Sequence, residues 1–437
     1  MGTSPKRGLT VAVLAVTFFG TTGVRAATPS PSPETAATVL LSVATDGTQA
    51  NADSFAPAVS GDGSAVAFTS LATNLAGPES VPTMNVFVHD PLRGQTTRIS
   101  DSPGGEPADG DSTSPVLSGD GSVVAFDSFA DNLVSGDSNG ASDVFVHERA
   151  SGRTTRVSVA SDGAQSNGGS FSPSISANGR FVAFASDATA LVPGDHNRDG
   201  DVFVHDRQTG KTTLISVTSD GKPANGDSFA PAISADGRFV AFVSHATNLV
   251  GGDTNGAADV FVHDRENGRT MRVSVGSDGA QVDSDSFGPS ISGDGRYVAF
   301  ASDAGNVVPG DMNGASDVFV HDGQTGRTAL VSAKGDGHPS DRGSSSPALS
   351  ADSRAVAFVT DGALLPDDTN NTEDVYVADL ATGALRRMSL ASDGTEGNRP
   401  SLTPAVSATG TVVAFESLAT NLAVADSNGA GDVFWRR

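Results

Sequence analysis

The sextet NVFVHD, beginning at Asn85, returns in variant form at Asp143, Asp201, Asp259, Asp317, Asp374 and Asp432, in steps of 58, 58, 58, 58, 57 and 58 residues. A Phe closing the tripeptide VAF recurs at Phe68, Phe126, Phe184, Phe242, Phe300, Phe358 and Phe415, and a Pro recurs at Pro57, Pro115, Pro173, Pro231, Pro289, Pro347 and Pro404. Chance does not keep three registers in step, so the chain is seven copies of one unit and folds as a repeat architecture.

Each unit holds four short apolar stretches, which in the third copy are 171–176 (FSPSIS), 180–186 (RFVAFAS), 201–205 (DVFVH) and the run TTLISV from Thr212. Turn residues separate them, which predicts four strands. In VAF and VFV apolar side chains point both ways, so the middle strands are expected to be buried on both faces. A four-stranded antiparallel sheet covered on both faces and repeated about a ring is a propeller blade.

The last copy reaches Arg437 inside its third strand, while TVLLSVA at 38–44 matches a fourth strand. That early strand is expected to complete the last blade and close the ring without an open edge. The reading is all-β: a seven-bladed β-propeller over residues 38–437, expected to act as a monomer. An open solenoid is the alternative, and it would leave both fragments unpaired.

Composition agrees. The acid comes from 43 Asp against 8 Glu, and Gly and Pro together make about one residue in six. Asp, Gly and Pro favour turns and caps, whereas Glu favours helix interiors. Zero Cys removes disulfides, thiolate metal sites and Cys nucleophiles together. A formal charge of −24 argues against nucleic acid or an anionic membrane as partner.

Lys6 and Arg7 precede an apolar run over 9–19, and Val24-Arg25-Ala26 supplies a small-residue cleavage pattern. Residues 1–26 therefore read as a secretory signal, and the run is too short for a membrane span. Residues 27–37 read as a Pro/Ser/Thr linker. Without the signal the chain has 24 basic and 51 acidic residues, a charge of −27. The mature protein is expected in the periplasm or the medium, with no membrane span.

The unit resembles the TolB-like, WD-like propeller repeat. In the fourth copy the resemblance rests on Ser234, Asp236, Gly237, Ala241, Phe242, Asp259, Val260 and Phe261, and it extends over residues 38–437. It departs from that repeat in the longer loop before the third strand and in lacking the Gly-His and Trp-Asp pairs. The resemblance is specific for fold and unspecific for function, since such propellers serve as binding platforms, enzyme domains and structural modules.

In an antiparallel meander the loop between strands two and three and the crossover to the next blade emerge on one face. That face is expected to be acidic, with loops such as 250–259 (VGGDTNGAAD) and crossovers such as 219–228 (SDGKPANGDS). The tight turns on the other face carry Arg180, Arg238, Arg296 and Arg354 after strand one and Arg149, Arg153, Arg207, Lys211, Arg265, Arg269 and Arg327 after strand three, so it is expected to be more basic. Solvated turn residues copied with the repeat, without selection for either field, account for both equally well.

The loop before strand three reads Asp-x-Asn-Gly-x-x-Asp: Asp137, Asn139, Asp143; Asp253, Asn255, Asp259; Asp311, Asn313, Asp317; Asp426, Asn428, Asp432. The third copy gives Asp195, Asn197, Asp199 and Asp201, and the sixth Asp368, Asn370 and Asp374. Oxygen donors at alternate positions around a Gly turn suit calcium, which takes six or more oxygens. Against this, Asp and Asn cap turns by bonding backbone amides, and each loop offers few carboxylates for a shell. Both readings stand at this point. Calcium apart, no cofactor is expected.

Five His share one repeat position, His89, His147, His205, His263 and His321. Equivalent residues in neighbouring blades sit roughly 10 Å apart, too far for one metal that each imidazole must approach to about 2 Å, so bonds to backbone or to a neighbouring blade are expected. His196, His245 and His338 break the repeat. Trp435, Tyr297 and Tyr376 fall at positions filled by core residues in other copies and are expected to pack.

The leading reading is a secreted binding platform for a protein or cell-surface polymer, through the Asp/Asn-rich long-loop face, with calcium as a candidate stiffener. The alternative is an extracellular polysaccharide lyase or glycan hydrolase with a metal/His/Asp centre near the propeller axis, favoured if His196, His245 or His338 converge with carboxylates. A structural envelope module is the third.

Overall fold

The structure, a computed structural model, describes residues 37–77, 83–195, 197–424 and 426–437. The export signal assigned to 1–26 and the linker up to residue 36 lie outside them.

The described residues form seven sheets of four antiparallel strands. In blade 3 the strands Ser170–Ile175, Phe181–Ser186, Asp201–Asp206 and Lys211–Leu214 pair in sequence order. First strands of neighbouring blades touch all the way round, so they line the axis and the fourth strands form the rim. The architecture is the expected seven-bladed β-propeller. Among the described residues no helix is long and apolar enough to cross a membrane.

Blade 7 takes Ser401–Val406, Val413–Ser417 and Asp432–Arg436 from one end of the chain and Thr38–Leu40 from the other. The register sets Val39 opposite Trp435 and Leu40 opposite Phe434. The early strand closes the ring, as its sequence predicts.

The repeated Phe residues supply the core. Phe184 of the second strand stands directly opposite Phe203 of the third, ring centroids 5.9 Å apart, both wholly buried. The pair recurs in every blade, with Tyr376 replacing the second Phe in blade 6. Val202 and Val204 of blade 3 pack in one cluster with Phe242 and Phe261 of blade 4, so the middle strands are covered on both faces. Each buried ring contributes about 2–3 kcal/mol and each stacked pair about 1 kcal/mol more. Tyr376 and Trp435 are buried; Tyr297 is half-buried, with the Arg296 guanidinium 4.7 Å above its ring.

The recurring Pro sits in a β-bulge. Pairing shifts between Phe171 and Ser174, and Ser172 takes φ 53° just before Pro173. Ala56, Ser114, Ala230, Ser346 and Thr403 repeat this left-handed conformation, and only blade 5 meets it with a glycine, Gly288 at φ 60°. Such bulges bend and twist the bulged strand, here the one beside the axis.

The crossovers join the long-loop face, as expected, and also cover an edge: Asn225 donates to Thr247 Oγ1, beyond the second strand, at 3.1 Å, while the hairpin bridged by Val217 and Pro223 runs along the fourth strand of the next blade. Ser219 Oγ accepts from the Thr270 amide at 3.0 Å and donates to its carbonyl at 3.3 Å. Ser161 with Thr212 and Ser277 with Thr328 repeat the contact. The reason is the edge: a fourth strand carries unpaired backbone groups, and the preceding crossover covers them.

Candidate functional site

The strand-leading carboxylates are buried at the head of the third strand, where the long loop, the fourth strand and the following crossover meet. In blade 2 Asp143 is fully buried; its Oδ1 accepts from Ser158 and its Oδ2 from Asn139 at 3.0 Å. Asn139 also donates to the Ser166 carbonyl at 3.2 Å, while its own oxygen caps the Ala141 amide at 3.0 Å. Burial raises the Asp143 carboxyl pKa, opposed by bonds from Ser158 and Gln165 and by the charge of Arg156.

Asp137 joins this group through shared donors. Arg156 Nη1 lies 3.1 Å from Asp137 Oδ1 and 3.4 Å from Asp143 Oδ2. Gln165 Nε2 spans the same two oxygens at 2.6 and 3.1 Å. Blade 4 repeats the arrangement: Arg272 Nη1 is 3.5 Å from Asp253 and 3.2 Å from Asp259, and Gln281 lies 2.9 and 3.3 Å from them. Asn255 donates there to the Val282 carbonyl at 2.9 Å. In blade 6 Arg387 Nη1 stands 3.2 Å from Asp368 and 3.8 Å from Asp374, and Asn370 donates to Asp374 at 2.9 Å. In blade 7 Gln49 alone bridges Asp426 and Asp432, at 3.0 and 2.9 Å, and Asn428 donates to the Ala50 carbonyl at 2.8 Å.

Blades 3 and 5 differ. Where blades 2 and 4 have Arg156/Gln165 and Arg272/Gln281, these have Leu214/Pro223 and Leu330/Pro339. Asn197 still donates to Asp201 at 2.9 Å, and Asn313 to Asp317 at 2.6 Å. Asp195 and Asp311 are buried, and Asp199 caps nothing beyond its own turn, its amide donating to Asn197. Burial pushes the Asp201 and Asp317 carboxyls up to about 6. Thus each predicted trio does converge, and in blades 2, 4, 6 and 7 protein nitrogens hold the carboxylates together. The arginines and glutamines escaped the sequence reading, although their alternation at fixed repeat positions was a signal.

The repeated His residues make a latch. His205 Nδ1 lies 2.9 Å from Thr212 Oγ1, and that hydroxyl donates to the Val159 carbonyl of the preceding crossover at 2.5 Å. A hydroxyl committed to a carbonyl must accept from the imidazole, so Nδ1 carries the proton. His89, His263 and His321 repeat the chain through Thr96, Thr270 and Thr328, and His147 bonds Thr154. Burial lowers all five pKa values. Of the unique histidines, His245 is exposed with its ring 5.8 Å from Phe229, His338 is exposed on a crossover, and His196 lies outside the described residues. Among the described residues no three His, Asp or Glu side chains are grouped to hold a metal.

The turn face is partly self-neutralised. Arg180 binds Asp206 through Nε and Nη2 at 2.8 and 2.7 Å, and Arg238–Asp264 and Arg296–Asp322 repeat the fork. A shallow cavity of about 440 Å³ between blades 2 and 3 is lined by Arg153, Arg156, Arg180 and Arg207, and each of these has a carboxylate partner.

On the opposite face one position changes character around the ring. The residue after the second strand extends its pairing with the first, as Asp187 N to Gly169 O at 2.9 Å. Around the ring it is Leu71, Phe129, Asp187, His245, Asp303, Asp361 and Leu418. Phe129 is 63% exposed, Leu418 37%, and Asp187, His245 and Asp303 are exposed. Blades 7, 1 and 2 thus present an apolar arc and blades 3 to 6 a polar, mainly acidic one. Two acids beside it, the buried Asp127 and the half-buried Glu416, stand where other copies hold Thr, Ala or Val.

These features define a seven-bladed propeller with one self-paired face and one varied face. No protein-family profile matches the chain, and no curated relative matches it. Solved structures do. A manganese complex of oligogalacturonate lyase aligns at TM-score 0.54 and 12% identity over 89% of this chain and 91% of that one. The β-propeller domain of the Trilobed protease from Pyrococcus furiosus aligns at TM-score 0.52 and 11% identity over 84% and 91%. TolB from Acinetobacter baumannii is also similar, at TM-score 0.42 and 14% identity over 76% of this chain and 62% of TolB. At these identities the likeness is one of fold.

Proposed function

We propose that the chain is an exported, monomeric binding platform whose partner, a protein or cell-surface polymer, docks on the varied long-loop face. The observation that carries this is the position after the second strand: fixed in backbone geometry by the repeat, exposed, and divided into an apolar arc around Phe129 and Leu418 and an acidic arc around Asp187 and Asp303. A surface of that kind suits a partner with apolar and cationic groups side by side. Export rests on the pattern in residues 1–26.

The test is capture from the producing cell's envelope and culture fractions on the immobilised mature chain. Phe129→Asp and Asp303→Lys are expected to abolish capture, while Arg354→Glu on the turn face leaves it intact. Equal capture by all three variants would refute the assignment of the face. The glycan-cleaving alternative requires a centre that His245 and His338 do not assemble; release of unsaturated products from oligogalacturonate with manganese present would revive it.

A further inference from the structure

Blades 2 to 7 share a pair of loop carboxylates and treat it in different ways. In blades 2 and 4 the pair is bridged by an arginine from the fourth strand and a glutamine from the crossover, both reaching the two inward oxygens. In blade 5 both donors are lost together, to Leu330 and Pro339. The acids remain. Asp317 is fully buried and accepts from Ser332 and Asn313 at 2.6 Å each. Asp311 is 6% exposed, and its buried Oδ1 has no hydrogen-bond partner. Among the described residues no Lys or Arg pairs with either.

Two buried carboxylates left without a counter-charge carry a large desolvation cost, and a cation among them removes it. The oxygens that elsewhere converge on one guanidinium nitrogen are hard donors, the type that takes calcium rather than a soft metal. We propose that the blade 5 loop binds a calcium-class divalent cation through Asp311 and Asp317, in the place that Arg156 and Gln165 fill in blade 2. The ion needs further oxygens beyond these two carboxylates, which water supplies in surface calcium sites. Blade 3 shares the Leu and Pro substitutions, but its loop adds Arg198 and His196 and is a different chemical case. The cation site stands independently of the docking face proposed above.

The experiment uses the mature chain, stripped with EDTA and titrated with calcium chloride, counting bound ions by calorimetry and following the melting temperature. The wild type is expected to bind calcium at or below millimolar concentration and to melt higher with it. The double variant Leu330→Arg/Pro339→Gln, which copies blade 2, is expected to bind one ion fewer per chain while melting without metal at least as high as the wild type. Asp311→Asn is expected to lose the same ion, and it decides the matter should the double variant fail to fold. A wild type that binds no calcium at 5 mM, or variants that keep the full number of ions, would overturn the proposal.

Discussion

Arg180 receives Asp206 as a fork, two bonds of 2.8 and 2.7 Å from one guanidinium to one carboxylate, with the arginine also lying 4.7 Å over the ring of Phe181. The fork holds the Asp206 carboxyl well below the usual carboxylate range. A depressed acid stabilises the fold above its unfolded pKa and loses that contribution as pH falls. Because Arg180 is over a third exposed, solvent screens the pair and its contribution to stability is small. Urea unfolding of Arg180→Met is expected to show a deficit at pH 7 and a smaller one near pH 2; an equal deficit at both would assign it to packing.

Asp127 behaves in the opposite sense. Its Oδ2 meets Thr113 Oγ1 at 3.2 Å, its Oδ1 is buried without a partner, and burial pushes the carboxyl up to about 6. A raised acid costs nothing below its unfolded pKa, near 4, and its full penalty above 6. Asp127→Asn is expected to stabilise the protein by up to about 3 kcal/mol at pH 7.5, with the gain vanishing by pH 3.5. A variant less stable than wild type at pH 7.5 would contradict this.

The His–Thr–carbonyl latch predicts a chemical cost. Thr212→Val keeps the shape but strands His205 and the Val159 carbonyl, at about 1–3 kcal/mol, whereas Thr212→Ser keeps the latch and is expected to cost only the buried methyl, about 0.8 kcal/mol. Since burial lowers the five repeated histidines, the unfolded chain takes up their protons first. Stability is therefore expected to decline as pH drops below about 6.5, which melting between pH 7.5 and 5 will test.

The bulge offers a backbone experiment. Ala230 holds φ 50° where blade 5 has Gly288. The left-handed region costs a non-glycine residue about 1–2 kcal/mol, part of it offset by glycine's greater freedom when unfolded. Ala230→Gly is accordingly expected to gain about 0.5–1 kcal/mol and Gly288→Ala to lose a similar amount. The same sign for both would show that packing, not backbone conformation, governs the site.

The architecture was legible because one period repeats it: the VAF and VFV phenylalanines marked the middle strands, and Leu40 and Phe434 were predictable neighbours from the missing fourth strand. The environment of the Asp-x-Asn loops was not. Asp137 is governed by Arg156 and Gln165, 19 and 28 residues further on, and only folding places them on the same oxygens. The edge contact of the crossovers was hidden for a related reason, since pattern shows which residues turn but not that Ser219 will seek the open edge at Thr270. Arg180, Arg238 and Arg296 were counted as a basic surface, yet the partners that cancel them lie 26 residues downstream.

Ser42 and Asp432 meet across 390 residues of chain. Six blades can each form from one continuous stretch, but the seventh waits until nearly the whole polypeptide is present. A growing chain therefore carries two sticky ends, an orphan strand at its start and an uncovered sheet edge at its finish, until the final residues arrive. Order of emergence thus sets when the molecule becomes safe from pairing with its neighbours, and a chain shortened by only its last strand would be an aggregation hazard rather than a slightly smaller propeller.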